Sequence, residues 1–196
     1  MHKTRNIVRQ TFCMLFILLF LFSILKAQST NPDYKSNFLF TNNCLKENKQ
    51  SVVKEVHDGD TILIENKSNE RRKIRLLGID AFELEQAPYG KAAKEFLTML
   101  VLGKNVCIET DIQKEDIYKR TLGYVFIGKK LVNEDILKNG QAILSDFPPN
   151  VKYIQRLKAA QIYGRQNMLG IWEKQNYIKE TPSEWRHKHP FKGTKH

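Results

Sequence analysis

Two aspartates stand beside neighbouring β-branched runs of the sequence. Asp60 precedes the first run, and Asp80 follows the second. If the runs form an antiparallel hairpin with its turn near Ser68, Thr61 lies roughly opposite Arg75, and both aspartates lie at the same open end. Converging carboxylates with backbone carbonyls nearby suit a hard cation such as calcium, which takes about six to eight oxygen ligands. The spacing therefore predicts a cation site at this end of the hairpin.

Three further charged residues complete a set that could hydrolyse a phosphodiester. Arg75 alternates with apolar residues in the second run, Glu83 lies in the loop after it, and Arg120 ends a charged segment. Such hydrolysis needs a cation, a carboxylate that directs water, and guanidinium groups for the charge of the transition state. Taken singly, each residue also suits an exposed strand or loop, and Asp58-Gly59 suits a polar turn. The combination is what indicates catalysis.

The elements that must position these residues follow from the spacing of apolar residues. β-branched runs between turn residues predict strands at 51–56, 61–65, 71–77, 104–110 and 121–127. Helical spacing with Pro and Gly boundaries predicts helices at 89–101, 133–139 and 151–166. This order is typical of an α+β fold, a five-stranded OB-fold β-barrel with three α-helices, whose outer face commonly binds oligonucleotides.

The N-terminal segment differs in kind from the rest of the chain. Lys3, Arg5 and Arg9 precede an apolar run at 12–25, and Ala27 offers a small residue for cleavage. This order is typical of a secretory signal peptide at 1–27. The run is also shorter than the roughly 20 apolar residues that span a bilayer. We therefore predict a secreted or periplasmic protein after cleavage near Ala27, with an uncleaved membrane anchor as the alternative.

The remaining sequence divides into a linker and irregular lead-in at 28–50, a domain at 51–174 and a basic tail at 175–196. The tail is expected to be frayed, and its histidines to be solvated rather than metal-binding. The charge of the chain is +11, and it falls to +7 without the four basic residues of the signal. Such an excess attracts polyanions, nucleic acid above all, although many basic surfaces are merely solvated.

Two cysteines remain once the signal is removed, Cys44 and Cys107. An even pair in an oxidising compartment can form one disulfide. Because the sequence alone fixes no geometry, two independent thiols remain the alternative. Neither cysteine has the spacing of a metal site.

Three linked motifs carry the predicted site residues. They are Val56-His57-Asp58-Gly59-Asp60-Thr61, then Ile74-Arg75-Leu76-Leu77-Gly78-Ile79-Asp80-Ala81-Phe82-Glu83, then Asp116-x-Tyr118-x-Arg120. In order, internal spacing and intervening helix they resemble the signatures of the staphylococcal nuclease (thermonuclease) family. The resemblance extends from about Ser51 to Trp172. Three linked motifs are far more specific than any one of them.

The resemblance implies an OB-fold hydrolase, an endonuclease that cleaves DNA and RNA at the bond to the 5′ oxygen and leaves 3′-phosphates. By motif position, calcium would be held by the carboxylates of Asp60 and Asp80 and by the backbone carbonyl of Ala81. Glu83 would orient or deprotonate the attacking water. The resemblance implies no stable protein partner, and we expect a monomer.

The resemblance also assigns residues that would contact the substrate. Arg75 and Arg120 would clamp the scissile phosphate, because a guanidinium can donate two parallel hydrogen bonds to it. Tyr118 would stack on a base, an interaction that typically contributes about 1 to 3 kcal/mol. Phe147 could stack in the same way, or it could serve packing.

The sequence departs from the family pattern in the loop that carries Glu83. Ala81-Phe82 replaces the characteristic Thr-Pro, and the loop before the first helix is shorter. Ligation through the carbonyl of Ala81 should survive this change. A non-catalytic OB-fold module that binds nucleic acid, possibly membrane-tethered, is the alternative function, but all five of the charged side chains are present.

Overall fold

The strands of the protein form a sheet that closes into a barrel. The computed structural model describes residues 50–174 and 178–190, all of which belong to one compact unit. In chain order the strands are β1 Gln50–Val56, β2 Thr61–Glu65, β3 Arg71–Leu76, β4 Ile79–Asp80, β5 Asn105–Glu109, β6 Thr121–Ile127, β7 Lys130–Leu131 and β8 Ile143–Leu144. The helices are α1 Tyr89–Val101, α2 Val132–Lys138, α3 Ile154–Gln166 and α4 Pro182–Lys188, with a 3₁₀ turn at Gly170–Trp172.

Five strands pair in the order β3-β2-β1-β5-β6, and β3 also pairs in parallel with β6. The second pairing of β3 closes the sheet and leaves it without an open edge between these strands. In the β2–β3 hairpin, Thr61 lies opposite Arg75. The predicted fold class and the predicted hairpin register are both confirmed.

Apolar side chains from the strands and from one face of each of α1, α2 and α3 fill the interior. Helix α1 contributes Ala93, Leu97 and Val101, which are almost completely buried. It begins at Tyr89 as predicted, with Pro88 as its N-cap residue rather than its first helical residue. Helix α3 begins at Ile154, three residues later than predicted, because residues 151–153 form a turn.

The described part of the C-terminal tail contains helix α4, Pro182–Lys188, so the prediction of a frayed tail is wrong for these seven residues. Thr181 accepts a hydrogen bond from the backbone N–H of Glu184, whose side chain bonds back to the N–H of Thr181. This reciprocal cap, with Pro182 at the first helical position, explains why a short polar segment is helical.

Several predictions from the sequence lie outside the described residues. These are the signal peptide or anchor at 1–27, the linker up to residue 49, and the state of Cys44. Cys107, which lies in β5, is disulfide-bonded. Within 50–174 and 178–190 no helix has the length and apolar character needed to cross a membrane.

Candidate active site

The two predicted cation-binding aspartates lie at the end of the β2–β3 hairpin. The backbone N–H of Leu76 donates to the carbonyl of Asp60 (2.9 Å), which ties this aspartate to the end of β3, and Asp80 follows in β4. Gly59 allows the turn before β2 to pack closely, because a Cβ there would come within 2.6 Å of the Cβ atoms of both Ala81 and Ala93. Gly59 is thus required by packing and does more than form a polar turn.

One nitrogen of Arg75 joins the two aspartates. Its Nη2 lies 3.0 Å from Oδ2 of Asp60 and 3.1 Å from Oδ1 of Asp80. Its Nη1 donates to the backbone carbonyls of Leu76 (2.7 Å) and Ile79 (2.8 Å). The guanidinium therefore holds the end of β3, the beginning of β4 and both carboxylates in one hydrogen-bonded cluster.

Asp60 is buried, and both of its carboxylate oxygens accept hydrogen bonds. The hydroxyl of Thr61 donates to Oδ1 (3.0 Å), and the backbone N–H of Ala81 donates to Oδ2 (3.0 Å). Burial raises the pKa of Asp60, although Arg75 and these hydrogen bonds act in the opposite direction. A positive ligand at this oxygen pair would favour the charged carboxylate.

The loop that carries Glu83 is fixed by contacts that replace the missing proline. The N–H of Glu83 donates to the side-chain oxygen of Gln86 (2.9 Å), and the N–H of Gln86 donates back to the carbonyl of Glu83 (2.8 Å). Phe82 is buried, with its ring 5.2 Å from that of Tyr89. At Gly90, a Cβ would lie 1.9 Å from the carbonyl oxygen of Glu83. Gln86 and Gly90 were not among the predicted site residues.

Asp116 organises the loop that presents Tyr118 and Arg120. Its Oδ1 accepts from the backbone N–H groups of both residues (2.9 Å each), and its Oδ2 accepts from Nε of Arg120 (2.7 Å). Burial raises the pKa of Asp116, but its hydrogen bonds to Arg120 and the charge of Arg120 lower it overall. Thr121 at the start of β6 pairs with Ile74 of β3. Arg120, which precedes Thr121, therefore lies at the beginning of the strand that neighbours the strand of Arg75.

The residues of this loop that were predicted to contact substrate remain accessible. Tyr118 is 73% exposed, and the guanidinium of Arg120 lies 5.4 Å from the centre of its ring. Within the described part of the chain, the two Nη atoms of Arg120 have no hydrogen-bond partner. Phe147 is 40% exposed in a turn closed by Asn150, and it does not belong to the buried core.

A residue of the C-terminal helix contacts the same carboxylates. Arg186 places Nη2 2.8 Å from Oδ2 of Asp80 and Nη1 2.8 Å from Oε1 of Glu83. One guanidinium thus brings Asp80 and Glu83 together. Arg186 was not among the residues predicted for the site, because it lies 106 residues beyond Asp80. The capping sequence from Thr181 to Glu184 could have revealed the helix, but no local signal reveals where that helix docks.

The chemistry of the oxygen donors fits a hard divalent cation. Among the described residues, no group of three or more His, Cys, Asp or Glu side chains is arranged to hold a metal ion by itself. Asp60 and Asp80 would have to be supplemented by backbone carbonyls, water or substrate oxygens. Cations such as calcium and magnesium accept such mixed oxygen ligands, and an incomplete protein shell is what a substrate-binding cation requires.

Comparisons with known proteins agree with this site. The family model described as staphylococcal nuclease homologue matches residues 73–174. The thermonuclease of Staphylococcus intermedius is 38% identical over 128 residues, which cover 63% of this chain and 76% of the relative. The thermonuclease of Staphylococcus hyicus is 36% identical over 122 residues, covering 60% and 72%. An uncharacterized endonuclease of Haemophilus influenzae is 35% identical over 144 residues, covering 73% and 76%.

The closed barrel, the clustered carboxylates and arginines, and these relatives define a hydrolase of the nuclease class. The chain belongs to the staphylococcal nuclease family. The family and the enzyme class expected from the three linked motifs are therefore confirmed.

Proposed function

We propose that the protein is an exported, calcium-dependent endonuclease that cleaves DNA and RNA and leaves 3′-phosphates. The observation that carries this proposal is the sharing of one Arg75 nitrogen by Asp60 and Asp80, beside a loop that fixes Glu83. The thermonuclease names of two relatives support nucleic acid as the substrate.

Asp60, Asp80 and the carbonyl of Ala81 would hold the cation in this proposal. When bound, calcium supplies positive charge to a phosphate oxygen and to the site where negative charge develops. Glu83 would accept a proton from the attacking water, whose oxygen forms a new bond to phosphorus while the bond to the 5′ oxygen breaks. Gln86 fixes the backbone of the loop that carries Glu83, which supports this role.

Arg120 would bind the phosphate undergoing attack. Asp116 holds its Nε, so the two Nη atoms are left to donate to phosphate oxygens. Two parallel hydrogen bonds from a planar guanidinium match this geometry and stabilise the charge of the transition state. Arg75 would act on the same phosphate while holding the aspartates in place.

Tyr118 and Phe147 would stack on bases of the substrate. Both side chains are exposed, which allows this stacking.

Export is proposed from the sequence alone. The basic residues before an apolar run at 12–25, followed by Ala27, are typical of a cleaved signal. Sequencing the N-terminus of the protein recovered from the medium or periplasm tests this directly. Recovery of a chain that begins near Gln28 supports cleavage, and recovery of an intact chain in the membrane fraction contradicts it.

The dependence on calcium is tested with the chain from residue 28 to 196. DNA digestion is followed in calcium, in magnesium and in excess chelator, and the products are probed for terminal 3′-phosphate. We expect digestion in calcium, loss of digestion in chelator and products that resist 3′ extension until a phosphatase is added. Digestion that continues undiminished in excess chelator contradicts the proposal.

A further inference from the structure

Helix α4 brings a third guanidinium into the candidate active site. Arg186 bonds to Oδ2 of Asp80 and to Oε1 of Glu83, the two carboxylates proposed to hold the cation and to direct water. Burial lowers the pKa of Arg186, but its bonds to Asp80 and Glu83 raise it overall, so this side chain stays charged. A bound guanidinium and a bound cation would therefore repel each other at adjacent carboxylate oxygens.

The contact also occupies the space between Asp80 and Glu83. In the proposed mechanism, Asp80 holds the cation and Glu83 activates a water beside it. This water needs a free oxygen on Glu83 as its hydrogen-bond acceptor and must lie close to the cation on Asp80. The two terminal nitrogens of Arg186, each 2.8 Å from its partner oxygen, occupy one oxygen of each carboxylate, and the other oxygen of Asp80 accepts from Arg75. The contact of Arg186 therefore competes with a cation for Asp80 and with a water for Glu83.

The attachment of α4 is suited to release. The helix has seven residues, and Pro182 is the buried one among them. Among the hydrogen bonds between described residues, a 3.3 Å bond from the side chain of Gln86 to the carbonyl of Glu180 also links this segment to the barrel. A helix this short is marginal in water, so few contacts have to be lost before it detaches.

We infer that Arg186 makes the C-terminal helix an intramolecular competitor of the divalent cation, so that cation binding and docking of α4 exclude each other. The inference rests on the proposed function, because it takes Asp80 as a cation ligand. Linkage requires reciprocity: a bound cation weakens docking of the helix by the same factor by which docking weakens cation binding. Removal of the Arg186 charge should therefore tighten cation binding. Cation concentration would thereby set the fraction of molecules with an open site.

The test compares the full-length protein with Arg186→Gln and with Lys188→Gln. Lys188 lies on the same helix and pairs with Glu180 rather than with the site, so its variant carries the same change of charge. Calcium binding is measured by titration calorimetry without substrate. Hydrogen exchange is measured at the N–H groups of Trp185 and His189, which donate within the α4 segment. Circular dichroism confirms that each variant is folded.

We expect Arg186→Gln to lower the calcium Kd by about three- to tenfold, as for a partly exposed ion pair, and Lys188→Gln to leave it within about twofold. Calcium should also speed exchange at Trp185 and His189 in the unmodified protein. Equal or weaker calcium binding by Arg186→Gln overturns the competition but leaves the proposed calcium site intact. Absence of calcium binding in all three proteins overturns both.

Discussion

Arg75 and Arg120 differ in how their guanidinium groups are engaged. The Nη atoms of Arg75 make four contacts, two with backbone carbonyls and two with the aspartates of the site. Asp116 accepts a hydrogen bond from Nε of Arg120 and leaves the Nη atoms of Arg120 available to a ligand. Arg75 therefore combines a structural role with any role in catalysis, whereas a change at Arg120 reports on substrate more cleanly.

Replacement of Arg120 by Lys should slow DNA cleavage by about 100- to 1000-fold, because one ammonium cannot make two parallel bonds to phosphate. The decrease in rate should appear mainly as a lower kcat. Lys114→Gln, in the same loop, removes a full exposed charge, which is a larger electrostatic change than Arg120→Lys, and should still retain most of the activity. Near-normal turnover by Arg120→Lys would count against the assignment. Arg75→Lys should be slowed as well, with loss of stability in addition.

At the scale of elements, the loop between β4 and α1 fixes Glu83 without the Thr-Pro of the family. Phe82 anchors the loop in the interior, Gln86 bonds to both backbone groups of Glu83, and Gly90 lets α1 approach the carbonyl of Glu83. The shortened loop and the lost proline are thus compensated by contacts between the loop and the first turn of a helix. This arrangement predicts a rigid Glu83.

Replacement of Gln86 by Ala should lower kcat by about 10- to 100-fold, because a small misplacement of a reacting group has a large effect on rate. Calcium affinity should not weaken, since Gln86 contacts neither Asp60 nor Asp80 among the described residues. Glu85→Ala, one residue away, is the matched control and should behave like the unmodified protein. Turnover by Gln86→Ala equal to that of the control would show that Glu83 needs no such support.

The barrel as a whole brings together residues that are distant in sequence, and this limits what could be predicted. Strand bounds, α1 and the hairpin register followed from turn residues and alternation, which are local signals, and they placed Asp60, Arg75 and Asp80 correctly with respect to one another. Docking of α4 depends on contacts across more than 90 residues, such as that between Gln86 and Glu180. No periodicity or motif encodes such a contact, so Arg186 could not be found.

The stability of the whole folded molecule is linked to the titration of a buried tyrosine. Burial raises the pKa of Tyr124 to about 12, and its ring packs edge-on against Tyr153 at 4.7 Å. Since the folded pKa exceeds the unfolded value of about 10, the neutral phenol is favoured by folding. This contribution to stability is complete below about pH 10 and is lost as pH rises towards 12.

The free energy of unfolding, measured by urea denaturation between pH 8 and 11.5, should therefore fall steeply above about pH 10. Tyr124→Phe should lose less stability over this range, because its ring packs in the same place and carries no ionisable group. Exposed Tyr118 provides the control, and Tyr118→Phe should follow the unmodified protein. Parallel curves for Tyr124→Phe and the unmodified protein would contradict this account of alkaline unfolding.

In the proposed mechanism, Asp80 helps to bind the cation on which cleavage depends. This role is tested by the rate of DNA digestion as calcium is titrated, for the unmodified chain and for Asp80→Asn, with circular dichroism to confirm folding. We expect the variant to have a rate at least about 100-fold lower at saturating calcium and to require more calcium to reach half its maximum. The same rate and the same calcium dependence in both proteins would contradict it.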